Sequence, residues 1–159
     1  AAAAAREAVA AGRPFVALTP EEARELEAVA ARIFPTDDTP GAREAGVIHF
    51  IDRAFDAFQA DALPFAREGL SDLAVRARRA DPASESFSAL DEARQDAVLQ
   101  EIEAEGFFGL IRFLTIAGMF ALPEHGGNRD RLGWRLLGFE DRFVWRPPFG
   151  HYDAEVNGG

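Results

Sequence analysis

The stretch that decides the fold is "FFGLIRFLTIAGMFAL", residues 107–122, the longest apolar run in the chain. A membrane span needs about 20 apolar residues. This run is shorter, and it carries Arg112 near its centre, where insertion scales charge about 2.5–3.5 kcal/mol. The run therefore reads as a helix over about 107–121, apolar nearly all round, of the type that lies at the centre of a fold or under a partner. It is the expected central pillar.

Outward toward the N-terminus, the other helices follow from periodicity and caps. "TPEEARELEAVAARIF", residues 19–34, opens with Thr19 as cap, Pro20 at the first helical position and Glu22 closing a capping box. Leu26, Val29, Ala30 and Ile33 share one face, and Pro35 ends the helix. "PTDDTPGAREAG" is a turn-rich loop, and "VIHFIDRAFDAFQ", residues 47–59, is a helix with a stripe of Val47, Phe50, Ile51, Ala54, Phe55 and Phe58. A third helix covers Leu63 to Arg79, with Leu70, Leu73, Ala74 and Ala77 inward. Asp91 caps a fourth helix through Ala104, and Gly106 sits where a helix end favours a left-handed residue.

Toward the C-terminus, Pro123 stops the apolar helix, Gly126 and Gly127 turn the chain, and Asn128 caps a short helix through Leu137. No strand-like alternation and no repeat is present. The fold class is all-α: a single compact helical domain of about five to six helices with an irregular aromatic C-terminal tail. Residues 1–17 are expected to form an N-terminal arm, 18–138 the helical domain, and 139–159 an aromatic and Pro-rich tail, a candidate for partner contact.

Composition limits the function. At 159 residues the chain fits one domain, which buries roughly 70% of its unfolded surface. It has no Cys, so disulfides, Cys-ligated zinc, iron–sulfur clusters and thiol catalysis are excluded within these residues. The net charge of −10, with Arg as the sole basic side chain apart from His, disfavours nucleic acid as a partner. Arg and acidic residues interleave at helical spacing, a pattern of salt-paired helix faces. The opening Ala1 to Ala5 without Met reads as the remainder of a cleaved signal peptide or as simple trimming.

Catalytic motifs are missing. His49, His125 and His151 have no mutual spacing that puts two ligands on one helix face. Asp37-Asp38 lacks the alternating pattern of a calcium loop and reads as a turn before Pro40. His125-Gly126-Gly127-Asn128 at a helix start could hold an anion, but a helix–turn–helix corner is the simpler account. There is no dinucleotide fingerprint, Walker pattern or nucleophile elbow. The tail aromatics Phe139, Phe143, Trp145, Phe149 and Tyr152, around Pro147-Pro148, either fold back over the chain's own core or join an interface of the kind that enriches aromatics and Arg.

Two segments carry a further pattern: "LTPEEARELEAVAARIFPTDDTPGAREAGVIHFID", residues 18–52, and "EHGGNRDRLGWRLLGF", residues 124–139. They resemble the gluconate 2-dehydrogenase subunit 3 family in Pro35, Asp37, Pro40 to Ala42, Ala45 to Val47, Gly126 to Asn128, Gly133-Trp134 and Gly138-Phe139. The resemblance implies a non-catalytic small subunit of a periplasmic flavin-dependent sugar or polyol dehydrogenase. The small subunit assists folding and export of the large catalytic chain. Its partner would be a flavoprotein of the glucose–methanol–choline type, often alongside a multihaem cytochrome c subunit. FAD is then expected in the large chain and haem c in the third, with no cofactor, metal or catalytic residue in this one. A twin-arginine signal would precede the mature chain, and no membrane span is expected. Candidate partner-contacting residues are His125, Gly126, Gly127, Asn128, Trp134, Phe143, Trp145, Phe149 and Tyr152. Two other classes compete: a stand-alone periplasmic helical module with a small-ligand pocket, and a free enzyme using Asp37, Asp38 and His125 as acid and base groups.

Overall fold

Helix α1, Pro20–Ile33, is set by its own first turn. Thr19 Oγ1 accepts from the Glu22 N–H at 3.2 Å while Glu22 Oε2 accepts from the Thr19 N–H at 2.9 Å, which is the expected capping box. The computed structural model describes residues 15–142 and 144. Five more α-helices follow: α2, Val47–Asp56; α3, Leu63–Ala80; α4, Glu92–Glu101; α5, Gly106–Phe120; and α6, Leu132–Leu136. Short 3-10 turns occupy Ala60–Ala62, Phe87–Ala89, Pro123–His125 and Arg129–Arg131, and the described residues contain no strand. The fold is all-α, as expected.

Two helices share the centre of the fold. Helix α5, the expected pillar, packs against α1, α2, α3 and α6, and helix α1 packs against α2, α3, α4 and α5. Its small residues make this possible: Ala23, Ala28 and Ala30 are buried beside Leu26 and Val29, so burial extends beyond a single stripe and neighbours approach from several sides. Helix α5 buries Phe107, Ile111, Leu114, Thr115, Gly118 and Met119 and packs most extensively on α2, where Gly118 meets Val47 and Phe50, while Phe107 lies against Gly69 of α3. Its other flank, with Gly109, Arg112, Phe113 and Ile116, faces solvent. An all-round apolar pattern therefore covers a helix buried on one side only.

Three local expectations also change. Helix α2 ends at Asp56, so Phe58 falls beyond it and is 62% exposed, leaning on Phe50 rather than extending the buried stripe. Gly106 is the first residue of α5 with an ordinary backbone; the break after α4 is made by a turn in which the Glu105 N–H donates to Ile102 O at 2.8 Å. Asn128 does not occupy the cap position of α6, which begins four residues later at Leu132, but its side chain still accepts from the Gly133 N–H in that helix's first turn.

Many charged side chains link different helices. Arg32 on α1 bonds Asp96 at 2.7 Å and Glu92 at 2.8 Å on α4. Arg67 on α3 bonds Glu22 on α1 at 2.7 Å. Arg76 on α3 holds Asp72 one turn away at 2.6 Å and reaches Glu101 at 3.2 Å and Glu105 at 3.1 Å, at the end of α4 and the start of α5. Exposed pairs of this kind each contribute roughly 0–1 kcal/mol, so their effect is to set helix order more than stability. Among the described residues no helix is long and apolar enough to cross a membrane.

Candidate partner-binding site

The corner after α5 is built around close backbone approaches. Gly126 has φ 104°, a conformation that a side chain would strain, and a Cβ there would lie 3.0 Å from the His49 carbonyl on α2. Gly127 is not left-handed; it is required for proximity, since a Cβ would lie 2.2 Å from the Gly118 carbonyl oxygen of α5. Gly133, on α6, sits equally tight on the Met119 carbonyl. The loop and α6 are thus laid directly onto the α5 backbone.

Asn128 holds this arrangement together. It is fully buried, with φ 46°, and its Nδ2 donates to Ala121 O at 2.8 Å while its Oδ1 accepts from the Gly133 N–H at 2.8 Å. One side chain so satisfies a carbonyl just past α5 and an amide at the start of α6. Both helix-end groups would otherwise be buried without partners. Trp134 Nε1 donates to Phe120 O at 2.8 Å, Phe139 packs edge-on against the Trp134 ring, and Arg131 lies over its face. Asp130 and Arg131 also adopt left-handed backbone, at φ 54° and 57°, so the turn into α6 is strained.

A second loop meets this corner. The Arg129 N–H donates to Ala45 O at 3.0 Å, and the Arg129 guanidinium lies beside Gly46, whose φ of 66° starts α2. That loop is itself closed by the Ala42 N–H donating to Phe34 O, and by Asp37 accepting from the Thr39 N–H at 2.8 Å and the Thr39 hydroxyl at 2.9 Å. These bonds hold the Asp37 carboxyl below the usual carboxylate range. No hydrogen bond or ion pair joins Asp37 or Asp38 to His125, so the acid–base grouping entertained from sequence is not assembled here.

His49, on α2 under Gly126, stacks on Phe15 with ring centroids 5.4 Å apart. Burial first, then the positive charge of Arg129, lowers its pKa; Asp52 pulls the other way and Arg53 adds to the lowering. The neighbouring Asp52 is buried and accepts from the N–H groups of Val16, Ala17 and Leu18 at 2.9–3.1 Å, tying the segment before α1 to α2. Nothing in the sequence pattern announced this clamp, because its partners are backbone amides 34–36 positions away.

Of the partner-contacting candidates, Gly126, Gly127, Asn128 and Trp134 are buried in the chain's own corner, and His125 is exposed at its edge. Phe143, Trp145, Phe149 and Tyr152 lie outside the described residues, as does His151. Among the described residues no group of three or more His, Asp or Glu side chains is arranged to hold a metal. With no strand there, the strand–glycine-loop–helix cradle of a dinucleotide site has no foundation either.

The model of one family, gluconate 2-dehydrogenase subunit 3, matches residues 20–141, from the start of α1 to beyond α6. The chain belongs to that family. No curated protein and no solved structure matches it. The two segments that carry the gluconate 2-dehydrogenase subunit 3 resemblance are one structural unit. The 35–47 loop and the 126–134 corner meet at the Ala45–Arg129 hydrogen bond, and between them they fix α1, α2, α5 and α6 relative to one another.

Proposed function

We propose that the chain is the non-catalytic small subunit of a flavin-dependent sugar or polyol dehydrogenase complex, acting in the periplasm as a mature chain freed of a twin-arginine signal. Membership of the gluconate 2-dehydrogenase subunit 3 family is the observation that carries this reading. The large partner, a flavoprotein of the glucose–methanol–choline type, binds FAD and selects the substrate, and a multihaem cytochrome c subunit completes some such complexes. The periplasmic setting and the signal rest on the family resemblance alone.

The small subunit acts by linkage. A chain that binds the folded large subunit and not its unfolded form stabilises the fold by RT ln(1 + [L]/Kd), about 2.7 kcal/mol at a hundredfold excess over Kd. For a marginally stable flavoprotein, a shift of that size is enough to raise the folded fraction before export.

The test is to express the large chain with and without this one and measure its soluble, flavin-loaded yield. The reading expects the yield to fall severalfold when this chain is omitted. An equal yield and equal thermal stability of the large chain alone would refute the stabilising role.

A further inference from the structure

Helix α5 presents a row of residues that its own fold leaves uncovered. Gly109, Phe113 and Ile116 follow one another at helical spacing, with Arg112 beside them, and Phe120 ends the row where its carbonyl accepts from Trp134. Phe113 is 55% and Ile116 42% exposed, and the space where a Gly109 Cβ would stand is open. The row therefore offers two large apolar side chains and bare helix backbone side by side.

Arg112 places a cation within this apolar row. Some exposed arginines hold carboxylates, as Arg67 does with Glu22, Arg79 with Glu101, Arg94 with Asp91 and Arg131 with Asp141, while Arg78 and Arg135 donate to the carbonyls of Ala74 and Asp130. Arg112 has no hydrogen-bond or ion-pair partner among the described residues, in a chain of net charge −10 that has acids to spare. A cation placed amid apolar side chains is costly to cover unless the covering surface supplies an anion.

We infer that the outer flank of α5, Gly109, Arg112, Phe113 and Ile116, is the docking surface for the large dehydrogenase chain, whose matching surface is an apolar groove with a carboxylate opposite Arg112; this rests on the function proposed above. A second copy of this chain fits less well. A two-fold contact would set the face against itself, bringing Arg112 toward Arg112 with no acid on the row to separate them. The row is the anchoring centre of an interface whose rim lies further out, since a standard interface covers about 800 Å² on each partner.

The chain has no Cys, so Ile116→Cys introduces its one thiol. The tagged variant is purified from its native host and labelled with a maleimide, both as the isolated full chain and in the complex, with label on this chain read by mass spectrometry. Val75→Cys on α3, at another exposed apolar position, is the control. The expected result is labelling of Ile116→Cys at least tenfold slower in the flavin-bearing complex than in the isolated chain, and no change for Val75→Cys. Arg112→Glu should abolish co-purification of the flavin chain and Arg112→Lys should keep it, with both variants retaining wild-type circular dichroism.

Equal labelling of Ile116→Cys in the two states overturns the inference. So does slow labelling in the isolated chain that recovers when residues 145–159 are deleted, which would mean that the chain's own tail occupies the row. Protection accompanied by a dimer mass without flavin would assign the face to self-association and overturn it too. If the wild-type chain brings down no flavin-bearing partner, the proposed function itself has failed, and that outcome is read before any variant is made.

Discussion

Gly127 lies so close to Gly118 of α5 that a single added carbon would stand 2.2 Å from the Gly118 carbonyl oxygen. The obstacle is helix backbone, which cannot rotate aside as a side chain would. Gly127→Ala should therefore lift the loop off α5 and destabilise the chain by about 2–3 kcal/mol, the upper part of the range for overpacked sites. Urea denaturation measures this directly, and a midpoint unchanged from wild type would show that the loop yields without cost.

Asn128 separates two explanations for a residue with positive φ. If backbone handedness were its whole contribution, Asn128→Gly would be neutral or slightly stabilising. The bonds from Nδ2 to Ala121 O and from the Gly133 N–H to Oδ1 say otherwise. Leaving both partners buried and unpaired should cost Asn128→Gly about 2–4 kcal/mol, with Asn128→Asp also destabilised because it loses the donor. Thermal unfolding of the two variants beside wild type decides between them.

Asp52 should control the order of the segment before α1. Asp52→Ala removes the acceptor for Val16, Ala17 and Leu18 together and should cost about 3 kcal/mol, within the range for charged hydrogen bonds and the amides they leave behind. Hydrogen exchange at those three amides should speed up by far more than exchange in α4, which lies away from the clamp. Uniform acceleration across the chain would instead indicate global destabilisation alone.

His49 gives the fold an acid-sensitive point. Its pKa is lower in the folded chain than the ordinary 6.5, so the unfolded chain binds the proton more readily. By linkage, the stability it contributes is fully present above about pH 6.5 and is lost as pH falls from there through the folded pKa. His49→Gln should flatten the stability curve as pH falls below about 6.5, leaving the loss at lower pH that carboxylates such as Asp91 and Glu44 produce. An identical slope in variant and wild type over the upper window would remove His49 as its source.

Where the signal is local, the sequence was sufficient. The Thr19–Glu22 capping box, the Asp91 cap and the Asp37 turn each depend on residues within three positions, and each formed as read. Helix α5 was legible as a non-spanning helix from its length and Arg112, but not as one with a bare flank, because periodicity cannot tell apolar residues that meet a neighbour from those that do not. The long-range bonds were illegible for the same reason: Ala45 with Arg129, Asp52 with Val16, and Arg32 with Asp96 join positions whose spacing carries no periodic signal. Gly127 turns the corner as expected, and the cause is its proximity to Gly118 rather than a left-handed backbone.

What this chain is bound to decides its role most directly. Purified under mild conditions from its native host, it should travel with a much larger chain and give a complex whose visible spectrum shows flavin absorbance near about 450 nm, the general property of an oxidised flavin carried by the partner. A colourless monomer of 17.3 kDa, stable and alone, would contradict the assignment as a dehydrogenase subunit.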